Sequence, residues 1–348
     1  MQDRKVKRIL SSFISFSLFL LFAACSQDMT VNQYDTSFEI KKGDSIREVS
    51  KNLKQESIIK NPLRFQIIAK LMRHDRDFKF GIYQIRKGES YYDLIAKFSA
   101  GQIYSIKITI PEGYNIFQVA DLLSSKNLAS EADFLRECSN TAYLQQYDLN
   151  GLKSVEGLIY PETYLIPIGS PSEKIIPLFL TQFDRVVDRP ILDEINKKGL
   201  SLKKVLTMAS IIVKEARFEF EKPIIAGVYY NRLKKGMKLQ ADPTLIYALM
   251  ISGKYEGEIL YSDFGIDSHY NTYRYYGLPP GPIANPDKTS ILAAIYPADV
   301  EYLYFVAKPD GTHYFSKTLE EHNKAVWEYQ RLPSIEKHKK ENNKNLSN

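Results

Sequence analysis

Three short segments of this chain repeat one pattern, and the repetition is the strongest constraint on what the chain can fold into. Each segment reads as a strand, a glycine turn and a helix of about ten residues. The three segments cover 38–59, 83–103 and 108–128. Their turns fall at Gly43, Gly88 and Gly113. Because glycine lets the backbone take a positive φ between strand and helix, the sequence predicts three βα units.

The repeated units also carry the start signals of helices. Side chains able to cap a helix follow the turns: Asp44, Ser45, Glu89, Ser90 and Asn115. A longer amphipathic helix, PLRFQIIAKLMRH, is predicted between the first two units. Repeated units of this sort resemble the LysM module, a small fold that binds N-acetylglucosamine polymers. The resemblance implies a glycan-binding role, and the alternative is a spacer that holds the next domain off a membrane.

The N-terminus has the pattern of an export signal. Four basic residues stand among the first eight, and the sixteen residues before Cys25 hold no charge. This run is short for a membrane span of about 20 residues and suits the apolar core of a signal peptide. Ala23 and Ala24 resemble a bacterial lipoprotein cleavage site and predict lipidation of Cys25, although Phe22 stands where leucine is usual. An uncleaved signal anchor and simple secretion are the alternatives, and all three place the rest of the chain outside the cytoplasm.

Composition indicates a globular protein without a nucleic-acid partner. The 348 residues suffice for two domains, with 44% hydrophobic and 25% charged residues. The net charge of +6 comes partly from the two ends, which leaves the remainder close to neutral. The five histidines and two cysteines form no HExxH or CxxC motif, so we expect neither a metal site nor a cofactor.

The stretch MASIIVKEA places a carboxylate, Glu215, at the end of an apolar helix. The core face of that helix repeats at helical spacing through Leu202, Val205, Leu206, Ala209, Ile212, Val213 and Ala216. Met208 and Ile211 lie one turn before Glu215, and burial among apolar groups raises the pKa of a carboxyl. A general acid near neutral pH needs such a rise. The alternative is a surface glutamate paired with Arg217 or Lys214.

Polar and aromatic stretches follow this helix. Two of them collect side chains able to bind a sugar: Gln240, Asp242, Thr244, Asn271, Thr272 and Tyr273. A third, GLPPGPIANP, is too stiff for a flexible linker and is expected to form a fixed wall. A concave site with an aromatic lining and a few amide, hydroxyl and carboxylate groups suits a neutral carbohydrate.

Five stretches in order resemble the MltG (YceG-like) family of endolytic murein transglycosylases. They read EGLIYPETY, MASIIVKEA, NRLKKGMKLQADPT, YNTYRYYGLPPGPIANP and YLYFVAKPDGTHYF…HNK. The resemblance covers about 35–330. It implies a LysM-like domain followed by a catalytic domain, held at the cytoplasmic membrane, that cuts nascent peptidoglycan strands internally.

The resemblance assigns the catalytic role to Glu215. The family's catalytic glutamate is the second acid of a Glu-Lys-Glu triplet, and Val213 replaces the first acid in this chain. The candidate substrate-binding residues are Gln240, Asp242, Asn271 and Tyr273, with Glu162 and His313 as further candidates. In the alternative interpretation, Asp242 only caps the following helix and Asn271 only holds a turn.

The predicted fold class is α+β, with a small LysM-like βα module followed by a mixed α+β catalytic domain. We expect helix 202–217 to pack against strands, including a hairpin around Pro-Asp-Gly. The predicted segments are a signal peptide or anchor (1–25), a linker (26–36), a LysM-like domain (37–130), a connecting helical region (131–200), a catalytic domain (201–332) with a contribution from the 154–170 loop, and a disordered polar tail (333–348).

The predicted reaction is lytic cleavage of the MurNAc-GlcNAc β-1,4 bond, which leaves 1,6-anhydroMurNAc ends and terminates strand elongation. The resemblance implies peptidoglycan glycan strands and membrane-bound peptidoglycan synthases as partners. It places the catalytic domain on the extracytoplasmic side of the cell envelope. The alternatives are a non-catalytic peptidoglycan-binding scaffold, a muramidase that uses water, and a cytoplasmic chorismate lyase, which the export signal opposes.

Overall fold

The computed structural model describes residues 34–332. The predicted export signal, Cys25 and the polar tail lie outside the described residues. Two compact units make up the chain: within the described range, the first comprises 34–106 and 165–169, and the second comprises 107–164 and 170–332. None of the helices between residues 34 and 332 has both the length and the apolar composition to cross a membrane.

The first unit has the order strand, helix, helix, strand, helix. Its elements are β1 (Thr36–Ile40), α1 (Ile46–Gln55), α2 (Pro62–Leu71), β2 (Gly81–Ile85) and α3 (Tyr91–Ala100). Strands β1 and β2 pair antiparallel, with Phe38 opposite Tyr83. Gly43 and Gly88 have φ values of 94° and 81°, as the predicted turns require.

Local sequence explains why these helices start where they do. Ser45 and Ser90 each accept a hydrogen bond from the backbone of the third helical residue, and an acid at that position bonds back to the cap. Aromatic and aliphatic side chains from β1, β2 and the three helices form one buried core. Within it, the Tyr83 and Phe98 rings meet edge to face at 4.8 Å. The predicted cap positions Ser45 and Ser90 are therefore confirmed.

The second unit is mostly helical. From the strand that enters it, its elements are β3 (Ser105–Thr109), α4 (Ile116–Ser125), α5 (Glu131–Cys138), β4 (Thr163–Pro167, of which 165–167 belong to the first unit), α6 (Ser172–Val186), α7 (Arg189–Lys197), α8 (Leu202–Glu215), α9 (Lys222–Lys234), α10 (Asp242–Ile251), α11 (Lys288–Ile295), β5 (Tyr304–Ala307), β6 (His313–Ser316) and α12 (Leu319–Val326). Strand β3 pairs with β4, and β5 pairs with β6. The third predicted βα unit is present as β3, Gly113 (φ 73°) and α4, with Asn115 as the cap.

Helix α8 lies at the centre of the second unit. Ser201 caps its first turn, and the nine residues 205–213 are all buried. The helix packs chiefly against α11 and α9, with smaller contacts to α10 and α7. The prediction that strands cover this helix is therefore wrong: helices cover it, because every sheet in the described range has only two strands. The hairpin around Pro-Asp-Gly is confirmed, with Tyr304 opposite Ser316.

Candidate active site

Glu215 is the last residue of α8 and combines dense packing with access to solvent. The residue after it, Ala216, is already extended, with φ −81° and ψ 122°. The hydroxyl of Tyr229 on α9 donates a hydrogen bond of 2.7 Å to Glu215 Oε1. Tyr229 is only 2% exposed, whereas Glu215 stays partly exposed. The carboxyl is thus held by a buried side chain, while the residue as a whole keeps partial access to solvent.

The surroundings of Glu215 raise its pKa to about 7. Burial is the main cause, because a low-dielectric environment destabilises the charged form. The negative charge of Asp242 raises the pKa further, while the Tyr229 hydrogen bond and the positive charge of Arg232 act in the opposite direction. A carboxyl that titrates near neutral pH can both donate and accept a proton in one reaction. The sequence prediction of a raised pKa at this position agrees with this environment.

Arg232 connects three parts of the site. It lies on α9 one turn after Tyr229, and only 9% of it is exposed. Its guanidinium donates to the backbone carbonyls of Leu303 at 2.6 Å and Leu239 at 2.8 Å. It also reaches Gln240 Oε1 at 3.4 Å. Because its Nε and Nη1 groups bond to the chain, Arg232 ties the residue before the hairpin to the 238–240 loop and supplies a positive charge near Glu215.

Three of the predicted substrate-binding residues come together beside Glu215. Asp242 is exposed at the start of α10, and the Tyr273 hydroxyl donates a hydrogen bond to its Oδ1. Gln240 is exposed and has a φ of 49°, a conformation that non-glycine residues seldom adopt. Its backbone N–H donates to the carbonyl of Thr272 at 3.2 Å, which holds the loop in place. Gln240, Asp242 and Tyr273 therefore have polar groups available near the carboxyl.

Asn271, the fourth predicted substrate-binding residue, has a different geometry. It is 0% exposed. Its Nδ2 donates to the carbonyls of Phe264 and Ile266, both at 3.0 Å, and its Oδ1 accepts from the backbone N–H of Tyr273 at 3.0 Å. The geometry corresponds to the alternative interpretation, a turn-holding side chain, and Asn271 acts on the site by positioning Tyr273.

The two further candidates, His313 and Glu162, hydrogen-bond to residues other than Glu215. His313 is held by Glu221, with 2.7 Å from its backbone N–H to Oε1 and 3.0 Å between Nδ1 and Oε2. Both side chains are buried, at 8% and 2% exposure. The Glu162 carboxyl accepts from the N–H of Thr163 at 2.9 Å. Neither residue is hydrogen-bonded to Glu215.

A junction of three loops lies at the C-terminal end of α8; the segments 110–116, 154–162 and 283–287 form it, and we name it the loop junction. Asn285, 0% exposed, accepts from the N–H groups of Gly157 and Ile159, each at 2.9 Å, and donates to the Tyr114 carbonyl at 2.9 Å. It also donates to Glu156 Oε1 at 3.2 Å. Burial raises the pKa of Glu156 to about 8.

The loop junction holds the end of the helix that carries the acid. Lys214 Nζ lies 3.3 Å from the Gly113 carbonyl, and the N–H of Ile283 donates to Ser210 Oγ at 3.0 Å. A Cβ on Gly157 would lie 2.6 Å from the Pro282 ring, so that position accepts only glycine. Glu156 and Asn285 lie within the motifs EGLIYPETY and GLPPGPIANP, but their pairing was not predicted from the sequence.

A family model describes this kind of chain. The YceG-like family model matches residues 38–328. The chain belongs to the YceG-like family. The match spans the residues that surround Glu215 and those of the loop junction.

Relatives agree with this membership. The chain is 36% identical over 310 residues to an endolytic murein transglycosylase of Bacillus subtilis, with 84% of each chain covered. It is 30% identical over 322 residues to an endolytic murein transglycosylase of Streptococcus pneumoniae, of which it spans 57%. A crystal structure of a yceG-like protein of Listeria monocytogenes matches with a TM-score of 0.58 and 35% identity, covering 84% of this chain and 100% of that one.

The environment of Val213 suits an apolar residue at this position of the family triplet. Val213, where the first acid of the triplet is expected, is 9% exposed, and its side chain lies about 3.7 Å from where a Cβ on Gly113 would be. Valine therefore packs apolar surface against the loop junction. Tyr229 and Arg232 were not among the site residues predicted from the sequence. Their signal was the i, i+3 spacing, which places both side chains on the same face of helix α9.

Proposed function

We propose that this chain is an endolytic murein transglycosylase in which Glu215 is the general acid and the general base. The observation that carries the proposal is the position of Glu215: a partly exposed residue whose carboxyl is bonded to Tyr229 and has a pKa raised to about 7. Family membership and relatives named endolytic murein transglycosylases support the reaction class. Proton transfer by a positioned group of this kind contributes roughly 10²–10⁴ in rate.

The proposed reaction needs one carboxyl and no water. Protonated Glu215 donates its proton to the glycosidic oxygen, and the bond from MurNAc C1 to that oxygen breaks. Positive charge develops at C1, as in other glycosidic cleavages. The ionised Glu215 then removes the proton from the MurNAc C6 hydroxyl, whose oxygen bonds to C1 and closes the 1,6-anhydro ring. Glu215 ends the cycle protonated, so a second carboxyl for activating water is not required.

The neighbouring side chains have separate proposed roles. Tyr229 orients the carboxyl and stabilises its ionised form between the two proton transfers. Asp242 opposes that ionised form and so keeps Glu215 protonated near neutral pH before the reaction. Gln240 and Tyr273 provide amide and hydroxyl groups to bind the sugar. Asn271 positions Tyr273 by accepting a hydrogen bond from its backbone N–H.

The wider cellular role follows from the same proposal. Cleavage of nascent strands beside membrane-bound synthases would terminate elongation, with the catalytic part outside the cytoplasm. Attachment through lipidated Cys25 or through an uncleaved anchor, and glycan binding by a LysM-like domain over 37–130, are parts of this proposal. The predicted boundaries of the connecting region (131–200) and of the catalytic domain (201–332) also remain predictions.

Product analysis tests the reaction. Purified glycan strands are incubated with the chain and with Glu215→Gln, and the released muropeptides are weighed by mass spectrometry. We expect 1,6-anhydroMurNAc ends with the parent chain and none with the variant. Reducing ends would instead mean that water is the acceptor and that the chain is a muramidase. Binding without cleavage in both proteins, on nascent as well as purified strands, would favour the peptidoglycan-binding scaffold.

A further inference from the structure

An open cleft with a volume of about 740 Å³ lies beside the segment that follows α8. Its apolar lining consists of Phe218, Phe220, Pro223, Leu292, Ala293 and Tyr296, and we name it the aromatic cleft. Phe218 follows Glu215 by three residues, so their Cα atoms are separated by at most about 11 Å. The aromatic cleft therefore begins within one or two sugar units of the proposed proton donor.

The aromatic cleft exposes apolar surface that the fold leaves uncovered. The Phe218 and Phe220 rings stack at 5.7 Å with an interplanar angle of 22°. Phe220 is 66% exposed and Tyr296 is 45% exposed. The Nζ of Lys198 lies 4.6 Å from the centre of the Tyr296 ring. Exposed apolar side chains gathered in a concave surface with charged neighbours indicate a binding site.

Two charged side chains stand at the Phe218 end of the cleft. Arg217 Cζ lies 5.7 Å from the centre of the Phe218 ring, and the side chain rests on Gly311 so closely that a Cβ there would be 2.6 Å from Nη1. Glu219 lines the cleft. Both residues are exposed, and neither forms an ion pair with any residue in the described range 34–332. Within the described range, a cation and an anion without ion-pair partners are thus available to a ligand.

We propose that the aromatic cleft binds the peptide substituent of the murein strand, with Arg217 pairing with a peptide carboxylate and Glu219 with an amino group. This inference rests on the proposed function, because it assumes a peptide-bearing glycan at Glu215. The peptide on MurNAc combines alanine methyl groups, carboxylates and the amine of a diamino acid, which match an apolar floor with a cation and an anion at one end. A neutral sugar carries no charge that would pair with Arg217 or Glu219, and Glu219 would repel an anionic membrane.

Binding to two forms of the strand tests the proposal. The full chain carrying Glu215→Gln is titrated with peptide-bearing strands and with the same strands after amidase treatment has removed the peptides. We expect peptide-bearing strands to bind more tightly. Arg217→Gln raises the Kd for peptide-bearing strands on the order of threefold to tenfold more than the Kd for stripped strands, the range of one charge-assisted hydrogen bond at a partly exposed site.

Matched variants complete the test. Phe220→Ala, which removes floor rather than charge, should have the same selective effect. Arg185→Gln is the control, because Arg185 is also exposed and is bonded only to Gln182, at 3.5 Å, within the described range. The proposal is overturned if Arg217→Gln and Phe220→Ala weaken binding equally for both strand forms, or for neither. It is also overturned if these variants weaken binding only to anionic phospholipid vesicles. Cleavage is scored separately with the chain that retains Glu215, so absence of the transglycosylase reaction is distinguishable from absence of peptide binding.

Discussion

The pKa of Glu215 is held by opposing neighbours, and removing one of them should move it measurably. Tyr229→Phe deletes the hydroxyl that donates a hydrogen bond of 2.7 Å to the Glu215 carboxylate. A hydrogen bond to a charged group contributes roughly 1.5–3 kcal/mol, and one pKa unit corresponds to about 1.4 kcal/mol. Because Glu215 is partly exposed, the lower end applies. We expect the pKa to rise by about one unit, from about 7 to about 8.

The assay is the pH profile of kcat/KM for release of anhydro products. Because the first step requires protonated Glu215, activity falls as pH rises through its pKa. At pH 8 the protonated fraction is about one tenth in the parent chain and about one half in Tyr229→Phe, by the titration of a single group. The alkaline limb of the variant therefore lies at higher pH. Asp242→Asn removes a negative charge that raises the pKa and moves the same limb to lower pH.

A neighbouring tyrosine provides the control for this experiment. Tyr230→Phe deletes a hydroxyl that donates to the Ala294 carbonyl at 2.8 Å rather than to Glu215, so the limb should stay in place. Thermal melting of each variant excludes loss of fold as the cause of lower activity. An unmoved limb in Tyr229→Phe, or limbs that move the same way in the Tyr229 and Asp242 variants, would refute the electrostatic account of Glu215.

Three further predictions concern stability, each measured by urea unfolding of the variant beside the parent chain. The pKa of Glu156 is about 8 in the folded state and about 4.3 in the unfolded state, so the folded state binds a proton more tightly. The contribution of Glu156 to the free energy of unfolding is therefore greatest below about pH 4.3 and falls as pH rises to about 8. Glu156→Gln should flatten this slope. Asn285→Ala leaves two buried N–H groups without acceptors and should cost about 3–5 kcal/mol, so a cost under 1 kcal/mol would contradict the loop junction. Gly227→Ala puts a Cβ 2.6 Å from the Ala298 carbonyl oxygen and should cost about 1–3 kcal/mol, whereas Gly265→Ala, with nothing within 4 Å, should be close to neutral.

The sequence was informative wherever the cause of a structure is local. Glycine turns, the caps Ser45, Ser90 and Asn115, and the hairpin around Pro-Asp-Gly follow from chemistry within a few residues, and all are present. The helix that ends at Glu215 was predicted to within two residues. These features carry their own signals because the groups that satisfy them are neighbours in the chain.

Long-range pairing was not predictable in the same way. Glu156 and Asn285 are separated by 129 positions, and no periodicity links a buried acid to an amide so distant. The partners of α8 were predicted to be strands and are helices, because an apolar stripe specifies that a helix face is buried but not which element buries it. For Asp242 and Asn271 the residue types fitted both binding and capping. The observed hydrogen bonds show that the Asn271 side chain stabilises a turn. They also place the Asp242 carboxyl beside the Tyr273 hydroxyl.

The end of α8 suits a proton-transfer group for a reason that joins fold and chemistry. The C-terminus of a helix carries partial negative charge, which disfavours an ionised carboxylate in the last turn and adds to the effect of burial on Glu215. The same position is where backbone leaves the core, so the side chain gains access to solvent without losing packing behind it. A helix end normally frays, and a frayed end would not hold a carboxyl in place. The loop junction opposes fraying, because Lys214 and Ser210 bond to separate loops on either side of the last turn.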